Sequence, residues 1–291
     1  MKLATFEEGG RRRIGVVDGD EVVDLASAAP ELPIEMKAFL SAGDPARARA
    51  AAALAAKKGR LPLAAIALCA PVQDPQKFLG VALNYAGHIG ETGAQRPEFP
   101  TLFNKQSSCV VAPGAPIELP PGGRYTDYEG ELAVIIGRRC RHVPKERAHE
   151  VIAGYTIVND VSVRDWQRRA PTMTLGKSWD THGPMGPWIV TPDELADPHN
   201  LELRTWVNDD LRQSASTKQL LFDCFDLIET LSTVCTLLPG DVISTGTPAG
   251  VGVAMNPPCF LNPGDVVRIE ISGIGVLENP VVAAPSASPS L

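Results

Sequence analysis

Residues 128–136 decide the fold, and they read Tyr128-Glu129-Gly130-Glu131-Leu132-Ala133-Val134-Ile135-Ile136. An apolar run of this length without helical spacing is typical of a buried β-strand. Residues two apart on a strand point to the same face, so Glu129 and Glu131 would lie on one side, about 6.6 Å apart along the strand. Two carboxylates entering a core are unfavourable unless a cation or protons neutralise them. The alternative is a solvated start to the strand.

A second apolar segment, residues 154–158, ends shortly before Asp160. Periodicity favours a strand–helix–strand unit here, with a helix after Pro144 and the two strands as neighbours. Glu129, Glu131 and Asp160 would then meet at one end of a sheet. Such oxygen ligands suit Mg²⁺, Mn²⁺ or Ca²⁺. Zinc is less suited, because no His or Cys lies at ligand spacing nearby.

The glycine-rich segment at residues 84–93 contains His88 and Glu91, three residues apart. If residues 85–92 form a turn or two of helix, the two side chains share a face. A carboxylate beside an imidazole fixes its tautomer and stabilises the imidazolium, as a general base requires. The alternative is an exposed pair on a helix surface.

Further candidates lie downstream of the strands. Arg164 and Gln167 follow Asp160 by four and seven residues, and Lys177 lies in a loop rich in Gly and Pro. Arg164 and Gln167 could line the same site as Asp160, with an ordinary helix surface as the alternative. A lone lysine such as Lys177 is usually solvent-facing. Residues 246–252 follow a predicted strand and could offer backbone N–H groups to an anion. This loop lacks the Lys-Ser/Thr ending of a phosphate-binding P-loop.

Composition narrows the class of protein. The chain has 291 residues and a formal net charge of −7, which argues against a nucleic-acid partner. The charged N-terminus predicts no secretory signal, and the longest uncharged stretch, residues 242–264, contains four prolines, so we expect no membrane span. Six cysteines without a close pair indicate reduced thiols of a cytoplasmic protein.

The pattern of strands and turns predicts two domains and a tail. Residues 1–73, with a hairpin at Asp18-Gly19, read as a small N-terminal α/β domain. Residues 74–282 form the larger, catalytic unit, with a predicted hairpin at residues 201–216 and a helix at 222–238. Residues 283–291 are rich in Ala, Pro and Ser and predict a disordered tail.

Five motifs, taken in order, resemble the fumarylacetoacetate hydrolase family over roughly residues 75–280. They are Leu83-Asn84-Tyr85…His88…Glu91, Tyr128-Glu129-Gly130-Glu131-Leu132, Asn159-Asp160…Arg164-Asp165…Gln167, Gly176-Lys177-Ser178…Asp180-Thr181 and Gly246-Thr247-Pro248…Gly250-Val251-Gly252. The resemblance implies an α+β, mostly β fold: a mixed β-roll covered by helices, with a small N-terminal α/β domain. It implies a homodimer and replaces the strand–helix–strand arrangement.

The resemblance also assigns roles. It implies Mg²⁺ or Mn²⁺, with Ca²⁺ as a further option, and a small oxo-acid substrate. The implied metal ligands are Glu129, Glu131 and Asp160; the catalytic residues are His88, Glu91 and Lys177; the substrate-binding residues are Arg164, Gln167, Thr247 and Tyr85. Val81 stands where the eponymous enzymes have a further metal-binding aspartate. The branch resembled is therefore that of acylpyruvases, isomerases and decarboxylases.

The predicted function is hydrolytic cleavage of a C–C bond in a 2,4-dioxo acid of the acylpyruvate type. Such an acid can chelate a divalent ion, which acts as a Lewis acid on the developing enolate charge. An isomerase or an oxaloacetate-type decarboxylase using the same site is the first alternative. A non-catalytic relative that binds ligands is the second.

Overall fold

The structure, a computed structural model, describes residues 1–195 and 197–285. Residues 286–291 of the predicted disordered tail lie outside the described residues. Within the described ranges, no helix has both the length and the apolar character needed to cross a membrane.

Strands dominate the chain. They are β1 (Lys2–Glu8), β2 (Arg11–Asp18), β3 (Glu21–Asp24), β4 (Arg60–Pro62), β5 (Ala67–Cys69), β6 (Phe78–Ala82), β7 (Thr101–Lys105), β8 (Val110–Val111), β9 (Ile117–Leu119), β10 (Thr126–Asp127), β11 (Gly130–Ile136), β12 (Ile152–Asn159), β13 (Ser162–Val163), β14 (Gly183–Val190), β15 (Glu202–Val207), β16 (Asp210–Ser216), β17 (Val242–Ser244), β18 (Val266–Ile271) and β19 (Gly275–Ala283).

The helices are fewer and mostly short. They are α1 (Leu25–Ala28), α2 (Met36–Ser41), α3 (Gly43–Ala56), α4 (Ala86–Thr92), α5 (Arg164–Gln167), α6 (Thr174–Lys177) and α7 (Cys224–Val234). Short 3₁₀ helices lie at Leu63–Ala65, Ser107–Cys109, Lys145–Val151, Thr217–Gln219 and Gly252–Ala254. The predicted α+β, mostly β class is confirmed.

A twelve-stranded sheet runs through most of the molecule. Its order is β4-β3-β2-β1-β14-β12-β11-β17-β6-β7, with β5 beside β1 and β8 beside β14. The strands of residues 1–73 join it where Lys2 pairs with Val190. The N-terminal region and the larger unit therefore share one sheet, and the predicted domain boundary near residue 73 stays a prediction.

Strand β11 is buried along its whole length, and the packing explains why its apolar run does not alternate. Leu132 and Val134 face one core cluster, which also contains Ile269 of the second sheet. Ala133 and Ile135 face the other cluster, together with residues of the N-terminal region. A strand covered on both faces requires apolar side chains at every position.

The strand–helix–strand arrangement expected from periodicity is wrong, because β11 and β12 pair antiparallel, with Gly130 opposite Asn159. The segment between them contains a seven-residue 3₁₀ helix, Lys145–Val151, and no α-helix. Ala148 and Val151 of this helix are buried in the core cluster that contains Leu227 of α7, and this packing holds the connection in place. The chain then returns beside the end it left, with Ile136 opposite Ile152.

The second sheet has five strands in the order β16-β15-β18-β19-β9. The hairpin expected at residues 201–216 is confirmed, with Asn208 at a φ of 55° in its turn. Helix α7 is shorter than predicted. Asp223 caps its N-terminus through a capping box with Asp226, and Cys235 is extended after its last turn.

Candidate active site

Three buried carboxylates lie where β11 begins and β12 ends. The ligand atoms of Glu129, Glu131 and Asp160 all lie within 4.8 Å of one another. The backbone N–H of Asp160 donates to the carbonyl of Glu129 at 2.9 Å, and this hydrogen bond ties the two strand ends together. A side chain at Gly130 would lie 2.3 Å from Thr205 Oγ1, so the residue between the two glutamates must be small.

Buried cations surround this cluster. Lys177 Nζ lies 2.6 Å from Glu129 Oε2 and 2.6 Å from Asp160 Oδ2. Lys105 Nζ lies 2.7 Å from Asp160 Oδ1, and Arg164 Nη1 lies 2.7 Å from Glu129 Oε1. Two of the three carboxylates are thus balanced by positive charges of the protein itself.

Glu131 differs from the other two carboxylates. Among the described residues it has no ion pair, and it accepts hydrogen bonds from Ser244 Oγ at 2.6 Å and from the Gly246 N–H at 2.8 Å. Burial raises the pKa of Glu131 well above its ordinary value, and the charges of Asp160 and Glu129 raise it further.

For the two neighbouring groups, Glu129 and Lys177, nearby opposite charges outweigh the effect of burial on the pKa. Burial alone would raise the pKa of Glu129, but the charges of Lys177 and Arg164 outweigh it and hold the pKa below its ordinary value. Burial alone would lower the pKa of Lys177, but Asp160 and Glu129 outweigh it and raise the pKa. Glu129 and Lys177 are therefore both charged in this arrangement.

The residues present fit a divalent cation. The donors are hard carboxylate oxygens, which Mg²⁺ and Mn²⁺ prefer. Glu131 is a buried carboxylate that forms no ion pair among the described residues, so a bound cation would favour its ionised form. The predicted metal-ligand set thus comes together in one place.

Helix α4 brings His88 and Glu91 together, as the spacing predicts. Nδ1 of His88 lies 2.7 Å from Oε1 of Glu91, and Oε2 of Glu91 accepts the N–H of Gly250 at 2.8 Å. His88 is buried, so this is not the exposed pair considered as the alternative. Nε2 makes no hydrogen bond to the part of the chain that the structure describes.

The backbone N–H groups of the loop at residues 246–252 do bind anions, but the anions are carboxylates of the protein. Gly246 donates to Glu131 and Gly250 donates to Glu91. Gly252 donates to Asp127 Oδ1 at 2.8 Å. The loop therefore positions a candidate metal ligand and a candidate catalytic residue from behind.

One pocket of about 550 Å³ opens above these groups. Seven of the predicted site residues line it: His88, Glu129, Glu131, Arg164, Gln167, Lys177 and Thr247. Asp160 and Glu91 lie behind this lining. Asp160 is hydrogen-bonded to Lys177, and Glu91 is hydrogen-bonded to His88. Tyr85 is not among the residues that line the pocket; its side chain is fully buried, and its hydroxyl has no hydrogen-bond partner among the described residues.

The prediction missed three residues. Asp127 accepts hydrogen bonds from Arg164 Nε at 2.9 Å and from the N–H of Val253 at 2.9 Å, and so links Arg164 to the loop. Lys105 holds Asp160. Arg168 lines the pocket one residue after Gln167. The sequence does contain a signal for two of these residues. Asp127 lies two residues before Glu129, and Arg168 directly follows Gln167.

A family model described as fumarylacetoacetate (FAA) hydrolase C-terminal matches residues 77–282. The chain belongs to this family. The resemblance inferred from the five motifs is confirmed, and the chain is therefore an enzyme of the fumarylacetoacetate hydrolase superfamily.

Relatives in this family carry different activities in their names. The mitochondrial oxaloacetate tautomerase of Xenopus laevis is 42% identical over 288 residues, covering 97% of this chain and 90% of that protein. Maleylpyruvate hydrolase from Sphingobium sp. SYK-6, solved with manganese(II) and pyruvate, gives a TM-score of 0.82 at 37% identity, covering 98% of this chain and 100% of that one. The 5-carboxymethyl-2-hydroxymuconate delta-isomerase of Mycobacterium smegmatis gives 0.79 at 38% identity, with the same coverage of each chain.

Proposed function

We propose that this chain is a divalent-metal-dependent enzyme that moves a proton on a 2-oxo acid, and that its reaction is keto–enol tautomerisation of an oxaloacetate-type acid. One observation carries the proposal. A pocket of about 550 Å³ is lined by His88 and also by Glu129 and Glu131 of the carboxylate cluster. A candidate base and a candidate cation site could therefore contact the same bound substrate.

His88 is the proposed base. Nδ1 of His88 is hydrogen-bonded to the carboxylate of Glu91, which favours the tautomer with the proton on Nδ1. In that tautomer Nε2 is free to accept a proton. His88 would take a proton from the carbon next to the 2-oxo group and then deliver that proton to the 2-oxo oxygen, which completes the enol and returns His88 to its neutral form. Glu91 would stabilise the imidazolium that forms between the two transfers.

The negative charge that develops on oxygen needs a partner. A divalent cation held by Glu129, Glu131 and Asp160 would supply Lewis-acid polarisation of the 2-oxo group. Lys177 is a buried ammonium that lines the same pocket, and it adds a fixed positive charge. In a water-poor site such preorganised charges contribute much of the rate enhancement.

We favour tautomerisation over hydrolysis because of the names that similar proteins carry. Tautomerases named for oxaloacetate are 42% identical in Xenopus laevis and 44% identical in Rattus norvegicus. This differs from the order of preference that the sequence alone suggested, in which hydrolysis came first. The proton transfer by His88 is common to both reactions.

The test is a direct assay of the interconversion. Enol oxaloacetate is added to the Mn²⁺-loaded protein, and its ultraviolet absorbance is followed against buffer containing Mn²⁺ alone. We expect acceleration with the wild-type protein and none with His88→Ala. A wild-type rate equal to that of the buffer would contradict the proposal.

Hydrolysis of an acylpyruvate is the second candidate. The pocket leaves room beside a four-carbon acid for an acyl group and a water, and the maleylpyruvate hydrolase relative favours this reaction. Incubation of acetylpyruvate with the Mn²⁺-loaded protein in H₂¹⁸O separates the two. Labelled acetate together with pyruvate would support hydrolysis, whereas unchanged acetylpyruvate would exclude it for this substrate.

A further inference from the structure

The pocket contains one cation that the proposed reaction does not use. Arg168 follows helix α5 directly, its N–H donating to the carbonyl of Arg164 at 3.3 Å, and its side chain lines the pocket. Among the described residues, it forms no ion pair and no side-chain hydrogen bond. A guanidinium at a pocket wall without a carboxylate partner can bind an anionic group of a ligand.

The other two cations in the pocket lining are already engaged. The charge of Arg164 is balanced by ion pairs with Asp127 and Glu129, and its Nε and Nη1 donate hydrogen bonds to Asp127 and Gln167, whereas Nη2 makes no hydrogen bond among the described residues. Lys177 is paired with Glu129 and Asp160. A second carboxylate on the substrate would therefore find its free positive charge at Arg168.

The surroundings of Arg168 strengthen this assignment. The neighbouring wall is formed by Ala170, Pro171 and Met173, which offer no side-chain cation. The hydroxyl of Thr92, also in the lining, already donates to the carbonyl of His88 at 2.9 Å. The side chain of Arg168 is exposed and would therefore be the cationic partner for a carboxylate at this wall, whereas an uncharged acyl tail would not need that residue.

We propose that Arg168 determines substrate specificity by binding the distal carboxylate of a dicarboxylic 2-oxo acid whose 2-oxo head lies at the carboxylate cluster. This inference rests on the proposed function and names the substrate class: acids with a carboxylate at the end away from the 2-oxo group. Arg168 contacts the substrate tail and not the reacting atoms.

Two non-reacting acids test the inference by binding alone. 2-Oxoglutarate and 2-oxovalerate share the 2-oxo acid head and chain length, and differ in a terminal carboxylate against a methyl group. Their dissociation constants for the Mn²⁺-loaded protein are measured by calorimetry with wild type, Arg168→Gln and Arg169→Gln. Arg169 is the matched control, because its guanidinium stacks on Trp166 at 3.6 Å and does not line the pocket.

We expect the wild-type protein to bind 2-oxoglutarate about tenfold or more tightly than 2-oxovalerate, because the terminal carboxylate gains a charge-assisted hydrogen bond. Arg168→Gln should abolish this preference without changing the affinity for 2-oxovalerate, and Arg169→Gln should retain it. In oxaloacetate turnover, Arg168→Gln should raise KM about tenfold with kcat little changed.

Two outcomes would overturn the inference, and they can be told apart. Equal wild-type affinity for both acids, or an unchanged preference in Arg168→Gln, would refute the role of Arg168 while oxaloacetate turnover left the proposed function intact. Failure of both acids and of oxalate to bind the Mn²⁺-loaded protein would overturn the proposed function and this inference together.

Discussion

His88 and Glu91 show how a short spacing in the sequence becomes a working pair. Their side chains meet across three residues of helix α4, and the second oxygen of Glu91 is held by Gly250 from the opposite side of the pocket wall. Glu91 is therefore fixed at both oxygens, and the imidazole it orients has one direction in which to accept a proton.

Replacing His88 and Glu91 one at a time should distinguish the base from the residue that orients it, because the two variants should differ in kcat. His88→Ala should lower kcat by about three orders of magnitude or more, because the base is lost. Glu91→Gln should lower it by about one to three orders, because the imidazolium loses its counter-charge. Steady-state kinetics on oxaloacetate with both variants measures this. A His88→Ala variant with near-normal kcat would place the base elsewhere.

Lys105 is the residue that holds Asp160 in place. Its ammonium is fully buried and donates to Asp160 Oδ1 at 2.7 Å, to the carbonyl of His182 at 2.9 Å and to the carbonyl of Lys177. One side chain thus fixes a candidate metal ligand and the backbone of the candidate catalytic lysine.

Lys105→Met should weaken Mn²⁺ binding about 10- to 100-fold, the range typical of residues that orient metal ligands. Lys77→Met is the control, because Lys77 also pairs with a buried carboxylate, Asp241, outside the pocket. Calorimetric titration of both variants provides the measurement. Equal Mn²⁺ affinity in Lys105→Met and Lys77→Met would refute this role.

The sequence predicts those site residues whose signal is local. Glu129 and Glu131 alternate on one strand, and His88 and Glu91 share one helix face, so spacing alone brings each pair together. Lys105 could not be found in this way, because it lies 55 residues from Asp160. Tyr85 lies within a family motif, but it is fully buried and is not among the residues that line the pocket, so its role in substrate binding stays a prediction.

At the level of elements, the loop at residues 246–252 owes its shape to glycines. Gly250 has a φ of 105°, and a side chain there would lie 2.0 Å from the carbonyl oxygen of Arg212. Its N–H is the group that holds Glu91. Gly264 has a similar φ of 96°, but nothing lies within 4 Å of the position a side chain would take.

These two glycines form a matched pair for a stability test. Gly264→Ala should cost about 1 kcal/mol of unfolding free energy, because only the backbone conformation is strained. Gly250→Ala should cost about 3 kcal/mol, because a steric clash is added, and kcat should fall as Glu91 loses its anchor. Denaturant unfolding and kinetics measure both effects. Equal losses in the two variants would contradict this explanation.

Elements were predictable where the decisive contacts are local. The hairpins at residues 18–21 and 208–210 follow from their turn residues, and both are present. The direction of β12 relative to β11 was not predictable from periodicity, because it depends on where the connecting segment packs, and Val151 of that segment lies in a core cluster with the distant Leu227. Family resemblance supplied that information, and local pattern did not.

At the scale of the whole molecule, one sheet joins the N-terminal strands to the strands that carry the site. The carboxylate cluster lies at strand ends near the middle of this sheet, and one of the groups that hold it, Ser244, is 113 residues from its partner Glu131. The homodimer and the boundary near residue 73 stay predictions.

His182 connects the site to acid stability. Nε2 lies 3.0 Å from the carbonyl oxygen of Glu118, whereas Nδ1 is buried without a partner among the described residues. Burial disfavours the imidazolium and lowers the pKa of His182 from 6.5 to about 4. The unfolded chain therefore binds a proton below pH 6.5 that the folded chain does not, and stability is lost as the pH falls from 6.5 towards 4.

His182→Gln retains an N–H donor for Glu118 and removes this titration. Between pH 6.5 and pH 5, the wild-type protein should lose about 2 kcal/mol more unfolding free energy than the variant. Urea unfolding at each pH measures the difference. Parallel pH dependence in the two proteins would show that His182 does not titrate in this way.

We predict that Glu129, Glu131 and Asp160 bind a divalent cation at the base of the substrate pocket. Calorimetric titration of the metal-free protein with Mn²⁺ tests it most directly, with Glu131→Gln as the test variant. Glu91→Gln serves as the control, because Glu91 lies beside the site but outside the cluster. We predict one Mn²⁺ per chain for wild type and Glu91→Gln, and affinity weaker by about 100-fold or more for Glu131→Gln. Equal Mn²⁺ affinity in Glu131→Gln and wild type, or no binding by wild type, would contradict the claim.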